Sequence, residues 1–341
     1  MSGNPLTELQ ALALRDVREG GTWSRRQRLK NAALRVIVRA ALWFADRLPA
    51  SWLTGALGGL GWLVHWTSGS LRRQTRRNLE QAGVAPTLAS EVWRNGGRNL
   101  GRCLLLRRPG AIAEQVEVDS TSADCLEQAI DGGRGVVFVS LHLGPFEWLA
   151  ARIAESWQAS GRGAPGPAIL VRESYDPGLD PLVDQHRVAR GLEVIHRGKP
   201  GASARILRAL KQGRPVGFLP DLGGRVRSER VQWLGGLAEL PVGPLRLAER
   251  TGAPLLIGYL EPKADSRFAL RIFRSAALTK PPTKPLTKHS EASSPAPSQA
   301  LARELEELIC RHPEHWLWMG KRQTPAEGAE RLPHLDVASQ R

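Results

Sequence analysis

In the first third of the chain, apolar positions fall at helical spacing. Leu34, Ile37, Val38, Ala41, Leu42 and Ala45 share one face, while Arg35, Arg39, Asp46 and Arg47 interrupt the run, which predicts an amphipathic helix with cationic edges. Pro49 ends that pattern. From Leu48 to Val64 no charged residue occurs, and Trp52, Leu53, Leu57, Leu60, Trp62, Leu63 and Val64 form an apolar segment. It is about long enough to cross a bilayer, although Gly55, Gly58, Gly59 and Gly61 weaken it as a helix. We read residues 31 to 66 as a hairpin lying on a membrane, ahead of a true span or a soluble buried helical pair.

Residues 87 to 107 repeat the helical spacing through Leu88, Val92, Trp93, Leu100 and Leu104 and stop at Pro109-Gly110. The period then shortens. Apolar runs predict strands at 115–118, 136–141, 168–171, 192–195, 215–219, 231–234, 254–260 and 267–273. Helical patterns lie between several of them, at 121–130, 146–157, 179–190, 201–211 and 243–250. Such alternation predicts an α/β fold with a mostly parallel or mixed sheet flanked by helices, behind an N-terminal membrane-associated helical segment. The division expected is a basic helical region at 1–70, a catalytic domain at 71–323 and a loose tail at 324–341. A Pro-, Ser-, Thr- and Lys-rich loop is expected at about 279–298, before helical spacing returns at 300–310.

The candidate chemistry gathers where predicted strands end. Val136 to Leu141 is a short β-branched run bounded by Gly133 and Gly135; Pro145 then suits a first helical turn, and Trp148, Leu149, Ile153 and Trp157 recur at helical spacing. His142 stands at the strand end and Glu147 in the first turn of the helix, an H-x4-E pair. An imidazole held by a carboxylate is a general base, and no Ser or Cys nucleophile stands beside it. The plainer alternative is a satisfied strand-end His and a Glu favoured by the helix dipole. Two more strand ends add to the pair: Arg172 closes Ile169-Leu-Val-Arg172, and Asp221 closes Pro215 to Pro220 ahead of Gly223-Gly224-Arg225, a loop in which backbone amides can approach a ligand. Base, acid and cation thus converge on one crevice. Arg187 and Arg190 lie near the end of the following helix, where each serves equally well as a solvated charge.

Composition narrows the classes. Cys103, Cys125 and Cys310 form no C-x-x-C and cannot all pair, which points to a reducing compartment without a disulfide framework. His312-Pro-Glu-His315 lacks the spacing of a zinc helix. Glu8 and Asp16 precede any apolar run, so the N-terminus does not read as a secretory signal. The net charge is +15, and residues 1 to 117 hold 18 Lys and Arg against 8 Asp and Glu. Without a recognised module that interleaves aromatic and basic residues, this balance favours an anionic membrane surface over nucleic acid. Arg72-Arg-Gln-Thr-Arg-Arg77 can meet anionic head groups.

An ordered series of motifs carries a resemblance. Arg76-Arg-Asn78-Leu79, Val136 to Glu147, Val171-Arg172, Leu179-Asp180-Pro181, Gly213, Pro220-Asp221, Gly235-Gly236, Gly243-Pro244, Thr251-Gly-Ala-Pro254 and Pro313-Glu-His-Trp316-Leu-Trp318 with Lys321-Arg322 follow in sequence from about Asn31 to Arg322. The chain resembles the lipid A biosynthesis (late) acyltransferases, within the lysophospholipid acyltransferase group. The resemblance implies an O-acyltransferase on the cytoplasmic face of a bacterial inner (plasma) membrane. It would move a fatty acyl chain from acyl carrier protein or acyl-CoA, as co-substrate, to a hydroxyl of a lipid A-like glycolipid or lysophospholipid, with no metal or bound organic cofactor. By similarity, His142 and Glu147 are the catalytic pair, with Glu147 stabilising the imidazolium, and Arg172, Arg187, Asp221, Trp318 and Arg322 contact substrate; Arg225, in the glycine loop after Asp221, is expected to join them. Pro145-Phe146 replaces an Asn-Trp frequent in the family, and Leu222 a Gln. The altered turn motivates the rival reading, a non-catalytic membrane-binding protein that keeps the fold.

Overall fold

The computed structural model describes residues 22–108, 110, 112–174, 176–222, 226–278 and 296–320. The expected loop, the tail, Arg225 and Arg322 therefore lie wholly or largely outside the described residues.

Four helices lead. Helix α1 (Arg25–Arg47) starts where the Ser24 side chain accepts the Gln27 N–H, one of the donors a helix N-terminus leaves open. Helices α2 (Ala50–Thr67) and α3 (Gly69–Gln81) follow, then α4 (Ala89–Leu104) between single 3-10 turns. Four glycines argue against the second of these as a helix, yet α2 is unbroken, because two of them, Gly58 and Gly61, face α4. A Cβ on Gly61 would sit 2.1 Å from the Trp93 carbonyl oxygen, and one on Gly97 of α4 would sit 2.0 Å from that of Leu57. Only hydrogen fits between two backbones this close. Helix α2 thus pairs mainly with α4, rather than with α1 as the other arm of an isolated hairpin. The side chain of Arg108 caps α1 by donating to the carbonyls of Ala45 and Leu48.

A seven-stranded sheet follows. Its members are β1 (Val116–Val118), β2 (Val136–Val139), β3 (Ala168–Arg172), β4 (Glu193–Arg197), β5 (Pro215–Phe218), β8 (Leu255–Pro262) and β9 (Phe268–Arg274), in the order β1-β9-β8-β2-β5-β3-β4. Five strands, from β8 to β4, are parallel; β9 runs against β8, and β1 is parallel to β9. The helices between the strands are α5 (Ser120–Asp131), α6 (Phe146–Ala159), α7 (Asp180–Ala189), α8 (Ala202–Lys211), α9 (Gly243–Thr251) and, late in the chain, α10 (Pro297–Arg311). Residue alternation along β2 shows why the run is apolar throughout. Val136 and Phe138 join the core beneath α5 and α6, which also holds Ala45 and Leu53 of the N-terminal helices. Val137 and Val139 join the opposite core with Leu245 and Leu301.

One strand expectation needs correction. Residues 231–234 do not enter the main sheet; β6 (Ser228–Trp233) pairs antiparallel with β7 (Gly236–Pro241) as a separate hairpin. Leu234 and Gly235 both take positive φ, as a two-residue hairpin turn demands, and a Cβ on Gly235 would also strike the Gln81 carbonyl.

Candidate active site

Strand order creates the site. Strands β2 and β5 are neighbours, so the residues following them, His142 and Asp221, meet beyond the carboxyl edge of the sheet. His142 Nδ1 lies 2.8 Å from Asp221 Oδ1, and the His142 backbone N–H donates to Asp221 Oδ2 at 2.9 Å. Trp316 Nε1 donates to the same Oδ2, also at 2.9 Å. The Asp221 side chain is fully buried, whereas 21% of the His142 side chain stays exposed. With Nδ1 engaged, Nε2 is the nitrogen available to a substrate.

The expected partner of His142 was Glu147, and here the structure corrects the sequence reading. Gly144, with φ +62°, turns the chain into α6. Glu147, in the first turn of that helix, accepts from Arg187 instead: Nη2 at 2.5 Å and Nε at 3.1 Å. Arg187 also meets Asp184 at 2.9 Å, and Asp184 meets His196 Nε2 at 2.7 Å. Burial works to lower the Arg187 pKa, but the charges of Glu147 and Asp184 outweigh it and hold the guanidinium firmly protonated. Glu147 and Arg187 therefore form a self-neutralised pair in the cavity wall.

That cavity measures about 550 Å³. His142, Arg172 and Leu219 border it at the carboxyl ends of the strands, while Pro167, Leu192 and Pro215 border it at the amino ends. Phe138, Leu149, Ile153 and Phe218 line the length between, so an apolar trough runs along the sheet away from the imidazole. His142 and Phe146 meet edge to face, with ring centroids 4.8 Å apart.

The expected contact residues separate on the structure. Arg172, Arg187 and Asp221 are brought to the His142 crevice, although Asp221 serves there as the imidazole's partner. Trp318 is not: it is fully buried, its Nε1 donates to the Pro313 carbonyl at 2.6 Å, and its own carbonyl accepts from Asn78. Sequence reasoning missed Trp316, two residues earlier. The segment around it lies over the site, with Leu143 bridging Trp316 and the Gly144 N–H donating to the His315 carbonyl at 3.0 Å. The alternation Trp316-Leu-Trp318 was the available signal, since two indoles there imply separate partners. Arg190 is structural, donating to the Leu106 carbonyl and pairing with Glu155.

Among the described residues, no group of three or more His, Cys, Asp or Glu side chains is placed to hold a metal ion. Chemically, the arrangement is a carboxylate-oriented base at the mouth of an apolar trough. It suits removal of a proton from a hydroxyl beside a bound hydrocarbon chain.

Residues 23–323 match the family described as bacterial lipid A biosynthesis acyltransferase. A phosphatidylinositol mannoside acyltransferase of Mycolicibacterium smegmatis is 24% identical over 210 residues, which cover 61% of this chain and 62% of that protein. The match thus spans less than two thirds of the relative's length.

Proposed function

The chain belongs to the bacterial lipid A biosynthesis acyltransferase family, and on that premise we propose that it transfers a fatty acyl chain from an acyl carrier protein or coenzyme A thioester to a hydroxyl of a glycolipid or lysophospholipid. The observation that carries the reading is the His142–Asp221 contact at the head of the apolar trough. His142 Nε2 takes the acceptor hydroxyl's proton as that oxygen attacks the thioester carbonyl, and buried Asp221 stabilises the imidazolium. Collapse of the tetrahedral adduct breaks the carbon–sulfur bond, and the departing sulfur receives the proton held by His142. The trough takes the hydrocarbon, and no acyl-enzyme is needed.

The same reading places the protein on an anionic membrane surface, at the cytoplasmic face of an inner membrane. Among the described residues no helix is long and apolar enough to cross a membrane. Val36, Ile37, Trp43 and Phe44 on α1, with Trp52, Leu60, Leu63 and Trp66 on α2, are exposed apolar side chains, and Arg72 stacks over the Trp66 ring. A surface of this kind lies in the headgroup region rather than through the bilayer. Similarity to a phosphatidylinositol mannoside acyltransferase adds support for a glycolipid acceptor.

The test is transfer of a labelled acyl group from acyl carrier protein and from coenzyme A to bacterial lipid extract, followed by mass spectrometry of the product. Acylated lipid with the wild type and none with His142→Ala is the expected outcome. Equal product from both proteins would overturn it.

A further inference from the structure

The mouth of the cavity holds two arginines side by side. Arg172 ends β3 and Arg197 ends β4, and the two are direct register partners in the parallel ladder. Both line the cavity that holds His142. Neighbouring strands are only about 4.8 Å apart, and like charges directly opposite each other destabilise a sheet. Other cations of this region have their charge answered: Arg187 by Glu147 and Asp184, Lys199 by Glu173, Arg205 by Glu193. No carboxylate pairs with Arg172 or Arg197 among the described residues. Burial, and then the charge of Arg172, pull the Arg197 pKa down, as expected of two cations facing each other without a counter-ion.

We propose that Arg172 and Arg197 together form the seat for a phosphate group of a substrate, Arg197 being a binding residue that sequence motifs did not point to. Two guanidinium forks fixed on adjacent strands present several donors to one tetrahedral anion, the geometry in which arginine binds phosphate best. The pair sits at the carboxyl edge, on the same cavity as the base, so a phosphate held there tethers a chain whose reacting group meets His142 along that edge. That phosphate belongs either to the phosphopantetheine arm of the donor or to the head group of the acceptor. The inference rests on the acyl-transfer reading for its substrates but not for its anion.

Two measurements test it. In the first, acyl-phosphopantetheine is compared with acyl-pantetheine as donor, and lipid extract is compared with phosphatase-treated extract as acceptor. The wild type should prefer the phosphate-bearing member of one pair, and Arg197→Ala should cut that preference in kcat/KM roughly ten- to a hundredfold, as loss of a charge-assisted hydrogen bond predicts. The pair affected identifies the source. Arg197→Lys, with charge but no fork, should recover part of the preference. The second measurement needs no turnover: inorganic pyrophosphate should raise the melting temperature of the wild type and not of Arg197→Ala. Without ligand, Arg197→Ala should melt at or above the wild type, because one of two repelling charges is gone; a purely structural arginine would lower it. Undiminished preference in both pairs, or equal pyrophosphate stabilisation of both proteins, would overturn the seat. Absence of transfer by the wild type, with pyrophosphate binding intact, would instead refute the acyl-transfer reading alone.

Discussion

His142 Nδ1 and Asp221 Oδ1 stand 2.8 Å apart although 79 residues separate them in the chain. The Asp221 carboxylate is held in place by the His142 backbone N–H and the Trp316 indole as well as by the imidazole. Orientation of the base therefore depends on three segments of chain, and loss of any one should be felt in turnover.

Removing the base should lower kcat/KM on the order of 10²–10⁴-fold in His142→Ala, with little change in melting temperature. Asp221→Asn should be nearly as severe in kcat, because it withdraws the charge that stabilises the imidazolium. The double variant should be little worse than His142→Ala, as for residues acting as a unit. Initial rates over a range of acceptor concentrations, with melts on each variant, check this; a folded Asp221→Asn enzyme with wild-type kcat would remove Asp221 from the mechanism.

Glu147 and Arg187 should behave differently. Each answers the other's charge in the cavity wall, and breaking a buried pair from one side typically costs about 3–5 kcal/mol. Both side chains keep some exposure, 11% and 15%, so the lower end or less is expected. Arg187→Ala should unfold at distinctly lower denaturant than Arg187→Ala/Glu147→Gln, because both variants leave Asp184 to His196 alone and only the first also strands the Glu147 carboxylate. Equal destabilisation of the two variants would argue against the pair.

The glycines of the α2–α4 contact divide by position. Gly97→Ala forces a methyl against the Leu57 carbonyl and should destabilise by about 1–3 kcal/mol. Gly59 of α2 has nothing within 4 Å of its would-be Cβ, so Gly59→Ala should stabilise the helix by about 0.5–1 kcal/mol. Chemical denaturation of the two variants reads opposite signs, and a shared sign would refute the close approach.

His315 sets a pH limit on stability. Burial, with Arg102, His312 and Arg98 adding to it, lowers its pKa from 6.5 to about 4. The unfolded chain thus binds a proton that the folded protein refuses. The stabilisation is complete above about pH 6.5 and is lost as pH falls towards 4, by up to about 3 kcal/mol. Melting temperatures from pH 7.5 to 4 should fall steeply in the wild type and less in His315→Asn; parallel curves would exclude His315 as the cause.

Membrane attachment should rest on exposed tryptophans and arginines together. Replacing Trp52 and Trp66, 70% and 54% exposed, with Ser should reduce flotation with anionic vesicles while leaving the melting temperature unchanged. High salt should weaken what remains, since surface attraction is screened. Undiminished flotation of the double variant would move the attachment surface elsewhere. Deleting residues 25–67 should give an insoluble product, because α2 covers α4 and Ala45 and Leu53 belong to the core.

What the sequence alone determined is what repeats locally. The apolar run of β2, the helical spacing of α6 and the position of His142 between them depend on periods of two and 3.6 residues, and these survive without knowledge of the rest of the chain. Convergence of Arg172 and Asp221 on the His142 crevice was also legible, because parallel strands place their carboxyl ends on one edge. Which carboxylate would hold the imidazole was not. Glu147 is five residues away in sequence, but the first turn of α6 delivers it to Arg187; Asp221 reaches His142 because β5 lies next to β2, and strand order is a property of the whole sheet. Gly58 and Gly61 of α2 look like helix breakers until α4 is laid against them, and Trp316 and Trp318 are indistinguishable until one indole meets Asp221 and the other enters the core. Arg197 followed the same rule: only its register with Arg172 across two strands shows two cations facing each other. Local pattern encodes backbone form, while the choice among equally suitable polar partners is made by long-range packing, which brings one of them within hydrogen-bonding distance and leaves the others out of reach.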